Sequence, residues 1–271
     1  MAAAVRSVRD AIAAARTQLQ SAGCDSARLD AELLVAAALR VDRARLHSHP
    51  EAELPAAAAD RLRDHVARRA AREPVAYILG RRPFRRIELE VDRRVLIPRP
   101  ESELLVEVAL ELPPGSRVHD VGTGSGAVAL AIADERPDLT VTASDASEEA
   151  VDVARANAER LGLEIGLTVA RGLPADAAGV DLVVANLPYV SDGEYSGLAP
   201  EIADYEPRAA LVAGPDGLDA IRELVECAPS GCRLALEHAP HQAARVRSLL
   251  RDARTLRDLA SHERVTVGTA P

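Results

Sequence analysis

The feature that most constrains the fold is a regular alternation of apolar and helical segments after Gly115. Short apolar runs typical of strands are "RVHDVG", "LTVTASD", "IGLTVAR", "VDLVVAN", "CRLALEH" and "RVTVG". Segments with helical periodicity lie among them, namely "GAVALAIADERP", "SEEAVDVARANAERLG", "GLDAIRELVECAP" and "HQAARVRSLLRDA". Consecutive parallel strands need a crossover of about a dozen residues or more, which a helix usually provides. The pattern therefore predicts an α/β domain with a mostly parallel sheet and helices on both faces.

Residues 1–82 form a separate region, in which helical periodicity runs from Val5 to about Arg72. Ser26 is a favoured N-cap residue, and Pro55 suits the first turn of a further helix. Apolar side chains recur three or four residues apart on the first two helices, at Val8, Ile12, Ala15, Leu19, Leu29, Leu33, Ala36 and Leu39. This spacing predicts a small helical-bundle domain.

The pattern changes again between these two regions. Residues 87–91, "IELEV", alternate at period two, and residues 95–97, "VLI", follow a short charged turn. Two such runs predict a β-hairpin. We therefore expect a helical N-terminal domain at 1–82, a β-hairpin linker at 83–100 and the α/β domain at 101–271.

Charge and aromatic content argue against a nucleic-acid-binding protein. Residues 1–82 carry 14 arginines and 10 acidic residues, whereas the rest of the chain carries 19 arginines and 32 acidic residues. An acidic body is poorly suited to neutralising several phosphates. With no Trp and one Phe, the chain also lacks a stacking platform for single strands. We expect no direct binding to nucleic acid.

The sequence also gives no sign of export, membrane insertion or a metal site. No window approaches the roughly 18 apolar residues of a membrane span, and charges interrupt "MAAAVRSVRDAIAAAR" before a signal-peptide core can form. Cys24, Cys227 and Cys232 form no C-x-x-C pair, which argues against a disulfide framework or a zinc site. We expect a cytoplasmic monomer without membrane association or bound metal.

The glycine-rich turn "VHDVGTGSGAVAL" joins the first strand of the α/β domain to its first helix. Gly122, Gly124 and Gly126 allow a tight turn and close approach of a ligand, and the helix N-terminus offers unpaired N–H groups. Open α/β sheets bind ligands at this edge. With Ala127 as the last position, the turn also matches the dinucleotide pattern G-x-G-x-x-G/A. By itself it is compatible with a nicotinamide cofactor, with S-adenosylmethionine or with a turn that binds nothing.

Two acidic residues end the first two strands of this domain. A carboxylate at Asp145 can accept hydrogen bonds from both hydroxyls of a ribose, and it can equally cap the helix that begins near Ser147. Asp120 can orient the glycine loop or face the amino group of the cofactor. Both alternatives stay open for each residue.

The tetrad Asn186-Leu187-Pro188-Tyr189 ends the fourth strand, on the same edge as the glycine loop. An amide nitrogen is a poor nucleophile, and two acceptors on its N–H bonds would localise and aim its lone pair. The Asn186 side-chain oxygen and the Leu187 carbonyl can be these acceptors, with Pro188 fixing the backbone. Tyr189 can lie against the substrate amide and flank a methyl sulfonium. The alternative is a plain turn after a buried strand.

In order along the chain, the motifs "EPVAYILG", "VLIPRPESELL", "DVGTGSGAVALAIA", "ANLPYV", "DYEPRAALVAGPDGL" and "ERVTVG" resemble the HemK/PrmC family over nearly the whole chain. The resemblance implies a Rossmann-like methyltransferase that uses S-adenosyl-L-methionine to methylate the Gly-Gly-Gln glutamine of peptide chain release factors. It implies that the helical domain helps to hold the release factor. The implied catalytic residues are the tetrad, and the implied cofactor-binding residues are Gly122, Thr123, Gly124, Ser125, Gly126 and Asp145. From their positions in the sequence, we also expect Asp120, Leu173 and Asn186 to contact the cofactor.

Three positions depart from the pattern of the family. Leu187 stands where the family usually has Pro, which alters the rigidity of the loop but keeps the main-chain carbonyl. Gly172 stands where an acidic residue is common after the third strand, so adenine contact there is expected from Leu173 and its neighbours. Ser102 replaces a Thr that is common in the family, which keeps the hydroxyl.

Two rival functions remain at the level of the sequence. Methyltransferases that act on exocyclic amines of nucleic acids use related tetrads to hold a flipped base. A non-catalytic homologue that binds S-adenosylmethionine would keep the fold as a scaffold. In that case, leucine in place of proline at position 187 would be the sign of lost catalytic activity. Cofactor titration followed by a methyl-transfer assay separates the scaffold from an enzyme.

Overall fold

The computed structural model describes residues 7–177 and 179–271. In chain order, its helices are α1 (Val8–Ser21), α2 (Ala27–Leu39), α3 (Arg43–Ser48), α4 (Ala56–Ala70), α5 (Val75–Leu79), α6 (Glu103–Leu110), α7 (Ala127–Glu135), α8 (Glu148–Leu161), α9 (Asp192–Tyr195), α10 (Pro200–Ala203), α11 (Asp219–Cys227) and α12 (Ala243–Ser248). Its strands are β1 (Arg81–Phe84), β2 (Ile87–Glu90), β3 (Arg117–Val121), β4 (Thr140–Asp145), β5 (Gly166–Val169), β6 (Leu182–Ala185), β7 (Arg233–Glu237), β8 (Arg251–Arg257) and β9 (Glu263–Thr269). The helical periodicity predicted from Val5 begins in residues 1–6, which lie outside the described residues.

The described residues form two compact units. One consists of residues 7–80 and 200–205, and the other of residues 81–177, 179–199 and 206–271. The first unit is helical and contains α1 to α5 and α10, whereas the second contains all the strands described above and the remaining helices. The hairpin β1–β2 therefore belongs to the second unit.

The helical unit combines an apolar core with a buried group of charges. Leu19 and Leu34 are fully buried where the helices pack. Arg69 on α4, whose side chain is 5% exposed, donates from Nε to Asp30 Oδ2 at 2.7 Å, and its Nη2 lies 2.8 Å from Glu201 Oε1. A buried guanidinium group is tolerated only when opposite charges pair with it, so Arg69 requires the two carboxylates beside it. Together they attach α4 to α2 and to α10.

The β-hairpin is present, but its predicted pairing was wrong. β1 pairs antiparallel with β2, with Arg81 opposite Glu90, so the partner of the alternating run 87–91 lies before it and not at 95–97. The segment "RRPF" is a poor strand former because it contains Pro83 and two arginines. Proline is nevertheless tolerated in an edge strand, and both strands of a two-stranded ribbon are edges.

The large sheet of the second unit has the strand order β5-β4-β3-β6-β7-β9-β8 among the described residues. Neighbours from β5 to β7 are parallel, whereas β9 is antiparallel to both β7 and β8. The chain runs outward from β3 to β5 and then resumes on the other side of β3 with β6. The carboxyl ends of β3 and β6 therefore flank the point where the strand order reverses, which is where open α/β sheets bind ligands. The predicted fold class is confirmed.

The segment after α12 differs from the prediction. The helix expected over 241–253 ends at Ser248, and Arg251–Arg257 forms β8 at the edge of the sheet. Asp252 has a φ of 49°, and the pairing with β9 shifts register nearby. A charged edge strand with an irregular register shows no apolar alternation, so its sequence is equally typical of an exposed helix.

Candidate active site

A cleft of about 790 Å³ lies in the second unit at the carboxyl edge of the sheet. Its walls come from residues 93–98, the glycine loop, the segments after β4 and β5, the start of the tetrad, and residues 207–214. The glycine loop and the tetrad therefore meet at one cavity, as their positions after β3 and β6 require.

The glycine loop is held by main-chain contacts to β4. Gly122 and Thr123 both donate their N–H groups to the Ser144 carbonyl, at 2.8 and 3.0 Å. Gly126 has a φ of 84°, and a Cβ there would lie 2.8 Å from Leu130 Cδ1. Glycine is favoured at that position because the backbone is left-handed there and a Cβ would require Leu130 and Ala154 to shift. Gly122, Thr123, Gly124 and Ser125 line the cleft, whereas Gly126 packs behind them.

Asp145 lines the cleft and holds the glycine loop. Its Oδ2 accepts a hydrogen bond of 2.9 Å from Gly124 N, and its Oδ1 accepts one of 2.9 Å from Ser147 N. The N-cap of α8 is Ser147, whose hydroxyl accepts from Ala150 N at 3.2 Å. Asp145 is thus not the cap, and each of its carboxylate oxygens has capacity for a further hydrogen bond.

Asp120 also lines the cleft and is 2% exposed. Its Oδ2 accepts a hydrogen bond of 2.7 Å from Thr123 Oγ1, so Asp120 helps to fix the conformation of the glycine loop. Burial is the main cause that raises the pKa of Asp120 to about 7; the nearby Asp145 acts in the same direction, and the hydrogen bond from Thr123 acts in the opposite direction. This carboxyl group therefore changes protonation near neutral pH.

The tetrad lies at the end of β6 and is supported from the turn before α6 and from β7. Asn186 Nδ2 donates to Ser102 Oγ at 2.9 Å, and Ser102 Oγ donates to Glu237 Oε2 at 2.6 Å. Asn186, Leu187 and Pro188 line the cleft. Tyr189 is not among the described residues that line it, and its hydroxyl lies 3.5 Å from Glu237 Oε1.

The Leu187 side chain packs between the glycine loop and the apolar core. A Cβ added at Gly122 would lie 2.9 Å from Leu187 Cδ2, which places that methyl group directly on the loop. The same side chain packs against the core formed by β6, β7, α11 and α12. The Leu187 side chain therefore has a packing role of its own, which is separate from the role expected of the Leu187 main-chain carbonyl.

Leu173, the expected contact for adenine, occupies a different place. It packs against the apolar core, whereas Ala170, Arg171 and Gly172 line the cleft. Gly172 has a φ of 70°, which turns the chain after β5. Any contact of this segment with a ligand in the cleft therefore falls to the residues just before Leu173.

Two residues that follow or end β7 support the tetrad and were missed in the sequence. Glu237 is 1% exposed and contacts Ser102 and Tyr189, as described above. Gln242 is fully buried, and its Nε2 donates to the Tyr189 carbonyl at 2.8 Å. Glu237 directly follows the apolar run "CRLAL". An acidic residue at the end of an apolar strand is the pattern that identified Asp120 and Asp145, and the same pattern was present at Glu237.

Asn157 on α8 is a further residue that the sequence did not reveal. Its Nδ2 donates to the Glu90 carbonyl at 2.9 Å and to the Ser125 carbonyl at 3.0 Å, and its Oδ1 accepts from Glu90 N at 2.7 Å. This fully buried amide joins the hairpin to the glycine loop. Helical periodicity predicts that such a residue faces the interior, but it does not predict which groups the residue binds.

Metal and membrane features are absent from the part of the chain that the structure describes. No group of three or more His, Cys, Asp or Glu side chains there is arranged to hold a metal ion. None of the helices within 7–177 and 179–271 is both long and apolar enough to cross a membrane.

Comparison with known proteins gives the family. Residues 10–80 match the PrmC N-terminal domain, and residues 100–203 match the methyltransferase small domain. A release factor glutamine methyltransferase of Pseudomonas aeruginosa is 46% identical over 261 residues, which cover 90% of this chain and 92% of that protein. One of Caulobacter vibrioides is 39% identical over 270 residues, which cover 94% and 93%. The chain belongs to the release factor glutamine methyltransferase family.

Membership of the release factor glutamine methyltransferase family confirms the resemblance found in the motifs. It also confirms the predicted enzyme class, an S-adenosylmethionine-dependent methyltransferase. Among solved structures, the hMettl16 catalytic domain in complex with MAT2A 3'UTR hairpin 6 matches with a TM-score of 0.55 over 76% of this chain and 82% of that chain. At 13% identity this likeness concerns the fold alone.

Proposed function

We propose that this enzyme transfers a methyl group from S-adenosyl-L-methionine to N5 of the glutamine in the Gly-Gly-Gln motif of peptide chain release factors. The shared name of the relatives supports this substrate, and the activity predicted from the motifs is confirmed at the level of the family. For this chain, the observation that carries the proposal is the 2.9 Å hydrogen bond from Asn186 Nδ2 to Ser102 Oγ at the wall of the cleft. Because the Asn186 amide nitrogen donates to Ser102, the Asn186 carbonyl oxygen is the atom that can accept a hydrogen bond from a substrate N–H.

The cleft suits the cofactor in size and in chemistry. Its volume of about 790 Å³ falls within the range of roughly 300–1,000 Å³ found for ligand sites. The free lone pairs of Asp145 would accept the ribose hydroxyls, and the loop from Gly122 to Ser125 allows close approach of the ligand. Asp120 would face the cofactor or fix that loop through Thr123. When bound, S-adenosylmethionine supplies an electrophilic methyl group on a sulfonium.

Asn186 and Leu187 are proposed to activate the glutamine amide. Asn186 Oδ1 and the Leu187 carbonyl would each accept one of its N–H groups, which localises the nitrogen lone pair and aims it along the cleft. Pro188 restricts the backbone between these acceptors and Tyr189. Fixed orientation supplies most of the rate in such a site, and the methylated nitrogen then releases its proton without a general base.

Tyr189 is proposed to lie against the substrate amide when the substrate is bound, although it is not among the described residues that line the cleft. Burial raises the pKa of its phenol well above the usual value, and the neighbouring Glu237 raises it further. The hydroxyl therefore stays protonated at neutral pH and can donate to Glu237.

The decisive experiment is mass spectrometry of the Gly-Gly-Gln peptide of a release factor after incubation with enzyme and S-adenosylmethionine. The expected result is one added methyl group on the glutamine. No added methyl, from enzyme that is folded and binds the cofactor, would refute the proposal and favour a non-catalytic homologue. Methylation of an exocyclic amine in RNA or DNA, in place of the peptide, would favour the nucleic-acid alternative.

The remaining partner assignments rest on the resemblance alone. The helical unit is proposed to help hold the release factor, with the enzyme acting as a cytoplasmic monomer. Cross-linking of the helical unit to the release factor, and the mass of the free enzyme in solution, test these assignments.

A further inference from the structure

A single carboxyl group is connected to both ends of the tetrad. Glu237 Oε2 accepts the hydrogen bond from Ser102 Oγ, which in turn accepts from Asn186 Nδ2, while Glu237 Oε1 lies 3.5 Å from the Tyr189 hydroxyl. Glu237 ends β7, the strand paired in parallel with β6. It thus lies beside the tetrad and is fully enclosed by the protein.

We propose that Glu237 is a positioning residue for methyl transfer, which acts through Ser102 to orient the Asn186 amide with its carbonyl oxygen toward the substrate. The inference rests on the proposed function, because it concerns how the substrate amide is held. Glu237 itself contacts neither substrate nor cofactor in this scheme.

The orientation follows from counting protons along the relay. A serine hydroxyl has one proton to donate and two lone pairs. When Glu237 is ionised it can only accept, so the Ser102 proton points toward it. Ser102 Oγ then offers only lone pairs to Asn186, which must present its NH₂ group. The opposite amide orientation would place Asn186 Oδ1 against those lone pairs, without a hydrogen bond.

Protonation of Glu237 would remove this directionality. A protonated carboxyl group can donate to Ser102 Oγ, which frees the Ser102 proton to point toward Asn186 and to favour the wrong amide orientation. Burial is the main cause that raises the pKa of Glu237 to about 7, and Glu101 acts in the same direction. The Ser102 hydrogen bond, Arg264 on β9 and the Tyr189 hydroxyl act in the opposite direction. The relay is therefore set correctly only above about neutral pH.

The main chain of the tetrad is held separately. Gln242 Nε2 donates to the carbonyl of Tyr189 at 2.8 Å and to that of Asp216 at 3.2 Å, and Gln242 Oε1 accepts from Ala239 N at 3.0 Å. Changes at Glu237 or Ser102 should therefore alter the Asn186 side chain without unfolding the loop that carries it.

The test compares wild type with S102A, S102T, E237A and E237Q, using kcat and KM for a release factor, cofactor affinity by titration and thermal unfolding. E135Q is the matched control, because Glu135 is a partly buried carboxylate that binds Arg85 and is not among the described residues lining the cleft. S102A should lower kcat on the order of a hundredfold, since misplaced catalytic groups cost about that much. KM and cofactor affinity should change by no more than a few-fold, and S102T should restore kcat.

E237A should show the same loss of kcat as S102A. E237Q keeps a hydrogen-bonding side chain that cannot ionise, so it tests whether the charge on Glu237 is required. Glutamine cannot ionise, and its NH₂ group can donate to Ser102 as a protonated Glu237 can, so E237Q should keep kcat near the low-pH level of wild type at every pH. In wild type, kcat should rise between about pH 6 and pH 8, and this rise should flatten in E237Q.

Each outcome bears on one of the two proposals. Wild-type kcat in folded S102A, or an unchanged pH profile in E237Q, would overturn the inference while leaving the proposed function intact. If E237A does not fold, the comparison of S102A with S102T decides. A wild-type enzyme that methylates no release factor would overturn the proposed function and the inference with it.

Discussion

Asn186 and Ser102 are separated by 84 positions in the sequence, yet Asn186 Nδ2 lies 2.9 Å from Ser102 Oγ. Ser102 ends the 3₁₀ turn before α6, and Asn186 follows β6. The "PRPES" and "NLPY" motifs are thus two parts of one site. A side chain of the tetrad depends on a turn that precedes the first helix of the α/β region.

Asn186→Ala should nearly abolish methyl transfer. It removes the proposed acceptor for the substrate N–H, so kcat should fall by about a hundredfold or more. Asp145 and the glycine loop are unchanged, so cofactor affinity should stay within a few-fold. Methyl incorporation into the release factor and a cofactor titration measure the two quantities. Full activity in this variant would remove Asn186 from the mechanism.

Gly126→Ala should destabilise the protein more than Gly124→Ala. A Cβ at Gly126 would lie 2.8 Å from Leu130 Cδ1 and 3.3 Å from Ala154 Cβ, whereas one at Gly124 would meet nothing within 4 Å. Both positions have positive φ, which costs about 1–2 kcal/mol for alanine, and overpacking at Gly126 adds about 1–3 kcal/mol. Urea denaturation without cofactor measures the difference, and equal losses would contradict the packing argument.

Arg69→Ala should lower the free energy of unfolding of the helical unit by about 3–5 kcal/mol, because it leaves the buried Asp30 carboxylate without its cationic partner, whereas Glu201 keeps its ion pair with Arg72. Arg63→Ala is the matched control. The Arg63–Asp60 pair is 3.1 Å apart with side chains 76% and 70% exposed, and such pairs contribute about 0.2–1 kcal/mol at most. Denaturation followed by circular dichroism tests the contrast, and similar losses would refute the role of burial.

Asp120→Asn should change how stability depends on pH. Burial raises the pKa of Asp120 from 3.8 to about 7 in the folded protein, so its contribution to stability is complete below about pH 4 and is lost as the pH rises through about 7. Asparagine keeps an acceptor for Thr123 but does not ionise. The stability of D120N relative to wild type should therefore increase between about pH 4 and pH 7. A difference that is constant over this range would show that Asp120 does not titrate there.

The placement of the site could be predicted because it follows from strand direction. Asp120, Asp145 and Asn186 each end or follow an apolar strand, and the carboxyl ends of parallel strands share one edge. The structure puts all three at the cleft. Their roles toward cofactor and substrate stay predictions, as does the role of Tyr189.

What the sequence could not predict depends on contacts distant along the chain. The position of Leu173 after the third strand predicts a contact with adenine, but the chain turns at Gly172 and the partly buried Leu173 packs against the core. β8 has no apolar alternation because it is an exposed edge strand. Glu237 has a clear signal at the end of β7, but only the folded chain reveals that Ser102 connects it to Asn186.

The buried amide of Asn157 sets a practical limit on how the methyltransferase region can be excised. Glu90, in the hairpin, supplies two of the three hydrogen bonds that satisfy this amide, and the third goes to the glycine loop at Ser125. A recombinant fragment that begins at Glu101 would lack Glu90, so this amide would lose two of its three hydrogen bonds and keep only the one to Ser125. A fragment that begins at Arg81 keeps the hairpin, so the natural cutting point lies about twenty residues earlier than the motifs alone would suggest.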